Sequence, residues 1–227
     1  MKNVAIIAAG GSGKRMGAEM PKQYLLLSGK PILLHTLNKF EDALSIDAII
    51  LVLPQNDIDY VKKEIVDKQG ISKVTDMIAG GKERQDSVRN AIDLIDDDTE
   101  IVVIHDGARP FITTELINLS VERALEEGAV ALGVPVKDTV KSVNDRGIIR
   151  KTLDRDTIWI AQTPQAFQRE VICEAYRKAY KNNYSATDDS CLVERLGIEV
   201  RMITGSYDNI KITTKDDIIL GEALLRK

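Results

Sequence analysis

What most constrains this chain is the regular return of short, mostly apolar runs: Val4–Ala8, Ala48–Leu53, Val74–Ile78, Ile101–Ile104 and Ala129–Val134. Runs of that length suit strands covered on both faces. The segments between them carry helical spacing. Leu33, Leu37, Phe40 and Leu44 share one helical face behind Pro31, which suits the first helical position. Val88, Ala91, Ile92 and Ile95 repeat the spacing in the third connection. Alternation of this kind predicts an α/β, Rossmann-like fold: an open, mainly parallel sheet with right-handed crossovers, flanked by helices. Ligands of such sheets sit beyond the carboxyl ends of the strands, so the informative loops follow residues 8, 78, 104 and 134.

Residues 136–160 break the pattern. Val136–Val143 and Ile148–Ile160 flank Asn144-Asp145-Arg146-Gly147, a hairpin turn sequence. We read this as a projecting β-arm within a single domain spanning residues 1–227. A two-stranded arm does not stabilise itself alone, so a partner subunit is the economical support and a homodimer is expected. The chain then returns to a strand at Glu199–Ile203 and a helix from about Thr214 to Leu225. Lys211, between Ile210 and Ile212, is expected on the opposite face of a short strand.

Composition excludes several classes. The net charge of −4 supplies no global positive field for nucleic acid. No apolar stretch approaches the roughly 20 residues of a membrane span, and no signal-peptide pattern opens the chain. Cys173 and Cys191 form no CxxC pair and have no histidine at metal-ligand spacing; they read as reduced thiols of a cytoplasmic protein.

The strongest local signal is AAGGSGKRMG, Ala8 to Gly17, followed by PKQYL, Pro21 to Leu25. Glycines at the end of a buried strand let backbone N–H groups ring a polyphosphate, and Lys14, Arg15 and Lys22 supply countercharge. It is not a P-loop, which needs glycine where Ala8 stands and Ser or Thr where Arg15 stands. Nor is it a dinucleotide fingerprint, because Met16 occupies the third glycine position. A plain glycine turn with solvated cations is the alternative that spacing leaves open.

Taken with GGKERQDSV (Gly80–Val88), HDGARPF (His105–Phe111), PVKDTVK (Pro135–Lys141), TLDR (Thr152–Arg155), QTPQAF (Gln162–Phe167), TDDSCLVE (Thr187–Glu194) and GSYDNIKITT (Gly205–Thr214), this loop resembles the 2-C-methyl-D-erythritol 4-phosphate cytidylyltransferases. The segments run in order along essentially the whole chain. Within HDGARP, Gly107 departs from the commoner alanine, which is expected to loosen the loop. The resemblance implies transfer of CMP from CTP to that polyol phosphate, with release of pyrophosphate, in non-mevalonate isoprenoid precursor synthesis. It implies Arg15, Lys22, Arg155 and Lys211 as catalytic cations. For CTP it implies the backbone of Ala8, Ala9, Gly10, Gly11 and Gly13, with Gly80, Gly81, Ser87 and Asp106. For the acceptor it implies Thr139, Arg155, Thr163, Thr187 and Lys211, with Thr139 and Arg155 serving the neighbouring subunit's site. A magnesium or other divalent ion is implied, with Asp106 as its candidate ligand.

The chemistry suits these residue types. A phosphate monoester has a second pKa of about 6 and is largely dianionic at neutral pH, so it needs no general base. His35 and His105 are the chain's two histidines, and neither belongs to a Ser/His/Asp arrangement. The reaction must instead hold two polyanions together, against about 4 kcal/mol for each pair of unit charges at 4 Å and an effective dielectric of 20. Plainer readings stand beside each assignment. Asp106 could cap the next helix or pair with Arg109, Thr187 could cap a helix, Arg155 could be a surface ion pair, and His105 is read as a packing residue. Two other functions stay open: a ribitol 5-phosphate cytidylyltransferase, and a nucleotide-sensing module without turnover.

Overall fold

The structure, a computed structural model, describes residues 2–11 and 21–226. Five apolar runs become the strands β1 (Lys2–Ala8), β4 (Ala48–Leu53), β5 (Val74–Ala79), β6 (Thr99–Asp106) and β7 (Ala129–Pro135). Between β1 and β4 lie a small hairpin, β2 (Leu26–Leu27) and β3 (Lys30–Pro31), and helix α1 (Ile32–Asp42). Short α2 (Ile58–Val61), α3 (Arg84–Ile92) and α4 (Thr114–Glu127) fill the next crossovers. After β7 come β8 (Lys141–Val143), β9 (Ile149–Thr152), β10 (Trp159–Gln168), α5 (Arg169–Lys181), α6 (Asp189–Glu194), β11 (Arg201–Thr204) and α7 (Lys215–Leu224).

Seven strands form one sheet in the order β11-β7-β10-β6-β1-β4-β5. β1 runs parallel to both β4 and β6, β4 to β5 and β7 to β11, whereas β10 is antiparallel to β6 and β7. The chain steps outward from β1 through β4 to β5, then returns to β6 on the other side of β1. That reversal opens a crevice at the carboxyl ends of β1 and β6, the position where such sheets bind ligands.

Alternate residues of the strands feed two cores. Ala5, Ile7, Leu51 and Val103 pack with Leu33, Leu37 and Phe40 of α1 and Ile117 and Val121 of α4. Val4, Ile6, Val52 and Ile104 pack with Val88 and Ala91 of α3 and Ile172 and Tyr176 of α5. Burial on both faces is why these strands read as continuous apolar runs.

Several expectations are corrected. Pro31 closes β3 and flanks α1 rather than opening it. Leu44 lies beyond α1 and is 91% exposed; the chain turns at Ala43 into an extended conformation and leaves the helical face. Ile95 lies past the end of α3 and meets the same core from the following turn. The arm's paired strands are only β8 and β9, closed by Asn144, whose Oδ1 accepts from the amides of Arg146 and Ile148. Trp159 and Ile160 belong instead to β10, opposite Pro135 and Val134. Residues 209–212 form no strand; the segment follows side-chain and loop hydrogen bonds in place of a ladder.

Candidate active site

The crevice is lined first by backbone. The amide of Ala9 donates to Val52 O at 2.8 Å, and that of Gly107 donates to Ala8 O at 3.0 Å, so the chain leaving β1 is held by the strand ends on either side. Gln23, buried, donates to Ala9 O at 2.8 Å. Across from Gly10 stand Gly80 and Ser87: a methyl on Gly10 would lie 3.6 Å from Gly80 Cα and 3.5 Å from Ser87 Oγ. Ser87 Oγ accepts from the Gly81 amide at 3.0 Å and donates to Glu83 O at 3.0 Å. Gly81 is obligatory here, because a Cβ would sit 2.3 Å from Asp86 Cβ. The structure thus brings the end of β1, through Gly10, against Gly80 and Ser87, whereas a Cβ on Gly11 would meet nothing within 4 Å. Gly13, Lys14 and Arg15 lie outside the described residues.

The charged floor is built around Asp106, which ends β6 and is 7% exposed. Its Oδ1 accepts from Arg84 Nε at 2.9 Å and its Oδ2 from Lys211 Nζ at 2.6 Å, with Arg109 Nε at 3.9 Å. Burial alone would raise the carboxyl's pKa; Arg84 and then Lys211 outweigh it and hold the group well below the usual carboxylate range. Arg84 likewise stays charged: burial disfavours its cation, but Asp189 and Asp106 outweigh that and raise its pKa. Lys211 reaches Asp106 because its loop is stitched to the β6–α4 turn. Ile212 N donates to Ala108 O at 2.8 Å, and Arg109 Nη1 donates to Asn209 O at 2.8 Å. Lys22 Nζ donates to Ile212 O at 3.2 Å, which brings a second ammonium beside the residue next to Lys211.

Thr163, 5% exposed, supports this floor. Its hydroxyl accepts from the Asp106 amide at 3.1 Å and donates to His105 Nδ1 at 3.1 Å. His105 Nε2 donates to Arg109 O at 3.2 Å, and the ring lies 5.0 Å from that of Phe40. Fully buried, His105 has its pKa lowered to about 3, chiefly by desolvation, and is a neutral packing residue as expected. Gly107 does not loosen its loop. Its amide bonds Ala8 O, its carbonyl accepts from Thr36 Oγ1 at 3.0 Å, and an added Cβ would lie 3.0 Å from Ala9 Cβ.

The remaining residues are exposed, and Thr187 and Arg155 meet other partners. Thr187 is exposed, with Oγ1 3.7 Å from Cys191 Sγ, and the cap of α6 is Asp188, whose Oδ1 accepts from the Cys191 amide at 3.0 Å. Thr113, not Asp106, caps α4. Thr139 and Arg155 sit exposed at the foot of the arm, where Arg155 Nη1 donates to Lys137 O at 3.2 Å and its Nε lies 3.9 Å from Asp156. Sequence reasoning gives no role to Arg84 or Tyr176, and reads Asp189 only as a carboxylate at a helix N-terminus. Arg84 and Asp189 lie inside quoted motifs, but only the fold reveals that the two motifs meet.

A metal would find little to hold it here. Among the described residues no group of three or more His, Cys, Asp or Glu side chains converges, and both oxygens of Asp106 already accept from cations. The donor set fits a divalent ion only if phosphate and water oxygens complete its shell, as Mg2+ commonly requires.

Comparison with known proteins agrees in extent with this geometry. The family model described as IspD, 2-C-methyl-D-erythritol 4-phosphate cytidylyltransferase, matches residues 3–227. A protein of that name from Syntrophus aciditrophicus is 51% identical over 226 residues, covering 100% of this chain and 97% of that one. Another from Geotalea uraniireducens is 48% identical over 228 residues, covering 100% and 97%. The crystal structure of 4-diphosphocytidyl-2C-methyl-D-erythritol synthase from Anaerococcus prevotii superposes with a TM-score of 0.89 at 35% identity, covering 100% of this chain and 96% of that one. With the glycine turns and the charged floor gathered at the same strand ends, and with the match running through all of it, the chain belongs to the 2-C-methyl-D-erythritol 4-phosphate cytidylyltransferase family.

Proposed function

We propose that this chain transfers CMP from CTP to 2-C-methyl-D-erythritol 4-phosphate. The observation that carries the reading is the approach of the Ala8–Gly11 turn, at Gly10, to the Gly80–Gly81–Ser87 turn, with Lys22 and Lys211 held beside the same strand ends. The backbone of the first turn cradles the triphosphate and the second turn receives the nucleoside. An acceptor phosphate oxygen attacks the α-phosphorus of CTP. The bond from that phosphorus to the β-phosphate oxygen breaks, and pyrophosphate leaves with the electron pair. Lys22 and Arg15 stabilise charge on the α-phosphate, while Lys211 draws in the acceptor phosphate. Catalysis is positioning and fixed charge. No group on the protein needs to accept a proton, which suits a floor whose only histidine, His105, is neutral and buried. A divalent ion, when bound, neutralises phosphate charge; Asp106 would be its single protein ligand.

The acceptor site is completed by a second copy of the chain. Val143, Ile148, Ile149 and Ile160 leave large apolar side chains exposed along the arm and its foot, a surface a partner would cover. Thr139 and Arg155 lie at that foot and would serve the partner's crevice. Incubating the protein with CTP, magnesium and either polyol phosphate, and measuring pyrophosphate, tests the reaction. Release with 2-C-methyl-D-erythritol 4-phosphate is expected. Release only with ribitol 5-phosphate would assign the sister activity, and none with either would leave a nucleotide sensor.

A further inference from the structure

We propose that Arg84 is a positioning residue for this transfer, joining the nucleotide half of the site to the acceptor half through two buried carboxylates. The inference rests on the proposed reaction. Arg84 opens α3, between the Gly80–Gly81 turn and Ser87. Its Nε donates to Asp106 Oδ1 at 2.9 Å, and its Nη2 donates to Asp189 Oδ2 at 2.8 Å. Asp189 is 1% exposed, and its other oxygen accepts from Tyr176 Oη at 2.6 Å. The other oxygen of Asp106 accepts from Lys211. A continuous run, Lys211–Asp106–Arg84–Asp189–Tyr176, therefore ties the Lys211 loop and the end of β6 to α3, α6 and α5.

The two carboxylates stand on the two sides that the reaction must register. Asp189 begins the helix that directly follows Thr187. That helix is further fixed by Gln165 of β10, which donates to Asp188 at 2.8 Å and accepts from the Ser190 amide at 2.9 Å. Asp106 ends β6 beside the chain leaving β1, where the next residue's amide donates to Ala8 O, and it holds Lys211. A planar guanidinium can address two carboxylates at once from fixed directions, whereas an ammonium is a single point charge. Arg84 reaches the reacting groups through Asp106 and Asp189, not directly.

The test is steady-state kinetics with calorimetric CTP binding for wild type, Arg84→Lys, Asp189→Asn and the double variant, each shown to melt cooperatively. Arg84→Lys keeps the charge and loses the fork. Each single change is expected to lower kcat about tenfold or more and raise the acceptor KM, with the Kd for CTP within about twofold of wild type. The double variant is expected to match the worse single, because both break one link. Asp189→Asn carries the test alone if Arg84→Lys does not fold. Wild-type constants in either single variant, equal losses in CTP binding and acceptor KM, or additive effects in the double variant overturn the proposal while leaving the reaction intact. A wild-type protein that releases no pyrophosphate overturns both.

Discussion

Asp106 stays ionised because two fixed cations face it, and those cations stay in place because Asp106 faces them. Removing one partner strands the others. Asp106→Asn is expected to cost up to about 3 kcal/mol in urea unfolding, the low end for a broken buried pair because Arg84 and Lys211 are part-exposed. Lys211→Met is expected to cut turnover by at least about a hundredfold while the Kd for CTP changes little, since its proposed role is with the acceptor phosphate; near-normal turnover would remove Lys211 from the chemistry. His105 makes a pH prediction with a definite sign. Its pKa falls from 6.5 to about 3 on folding. Below pH 6.5 the unfolded chain therefore takes up a proton that the folded chain refuses until about pH 3. Stability should fall with acid by about 1.4 kcal/mol per pH unit from this group. His105→Gln should flatten urea midpoints between pH 6 and pH 5 relative to wild type. Equal slopes for the two proteins would show that His105 is not buried neutral. Among these residues, Lys22, Asp106 and Lys211 are legible as a set only through resemblance, because spacing along the chain says nothing about which loops meet; Arg15, named with them, lies outside the described residues. Arg84 was hidden for the same reason: its partners are 22 and 105 positions away.

At the scale of elements, the apolar runs identify five strands of the main sheet: β1, β4, β6 and β7 are buried on both faces, whereas β5, at the sheet edge, leaves Thr75 and Asp76 exposed. β10 was missed since QTPQAF mixes polar residues into a strand whose polar side chains are used: Gln162 donates to Ser206 O, Thr163 holds Asp106, and Gln165 holds α6. At the start of α6, Thr187 and Asp188 are both capable caps, and the cap falls to Asp188, which also accepts from Gln165. The turn after β5 is the element that tolerates least. Gly81→Ala pushes a methyl into Asp86, the residue whose side chain accepts from the Glu83 amide in the capping box of α3. It should cost about 1–3 kcal/mol and weaken CTP binding in calorimetry. Unchanged stability and affinity would mean that the turn is looser than its contacts imply.

For the whole molecule, a chain of net charge −4 gathers Arg84, Arg109 and Lys211 around Asp106 with Lys22 close by, the local positive charge that the proposed transfer between two polyanions requires. The fold class followed from alternation alone, and the arm from its turn sequence. Its paired strands are shorter than expected because Trp159 and Ile160 are drawn into the main sheet beside β7. If the arm serves a partner's crevice, mixing Arg155→Ala with Lys22→Ala subunits should restore part of the activity that each homodimer lacks. Mixed dimers that stay inactive would place Arg155 outside a shared site. The central claim is that the acceptor's own phosphate is the nucleophile and needs only fixed charge to reach CTP. It is tested most directly by 31P NMR of the product made from CTP and acceptor whose phosphate oxygens carry 18O. The account predicts a diphosphate linkage with the label retained, one labelled oxygen bridging the two phosphorus atoms. A product with an unlabelled bridge, or label appearing in pyrophosphate, would contradict it.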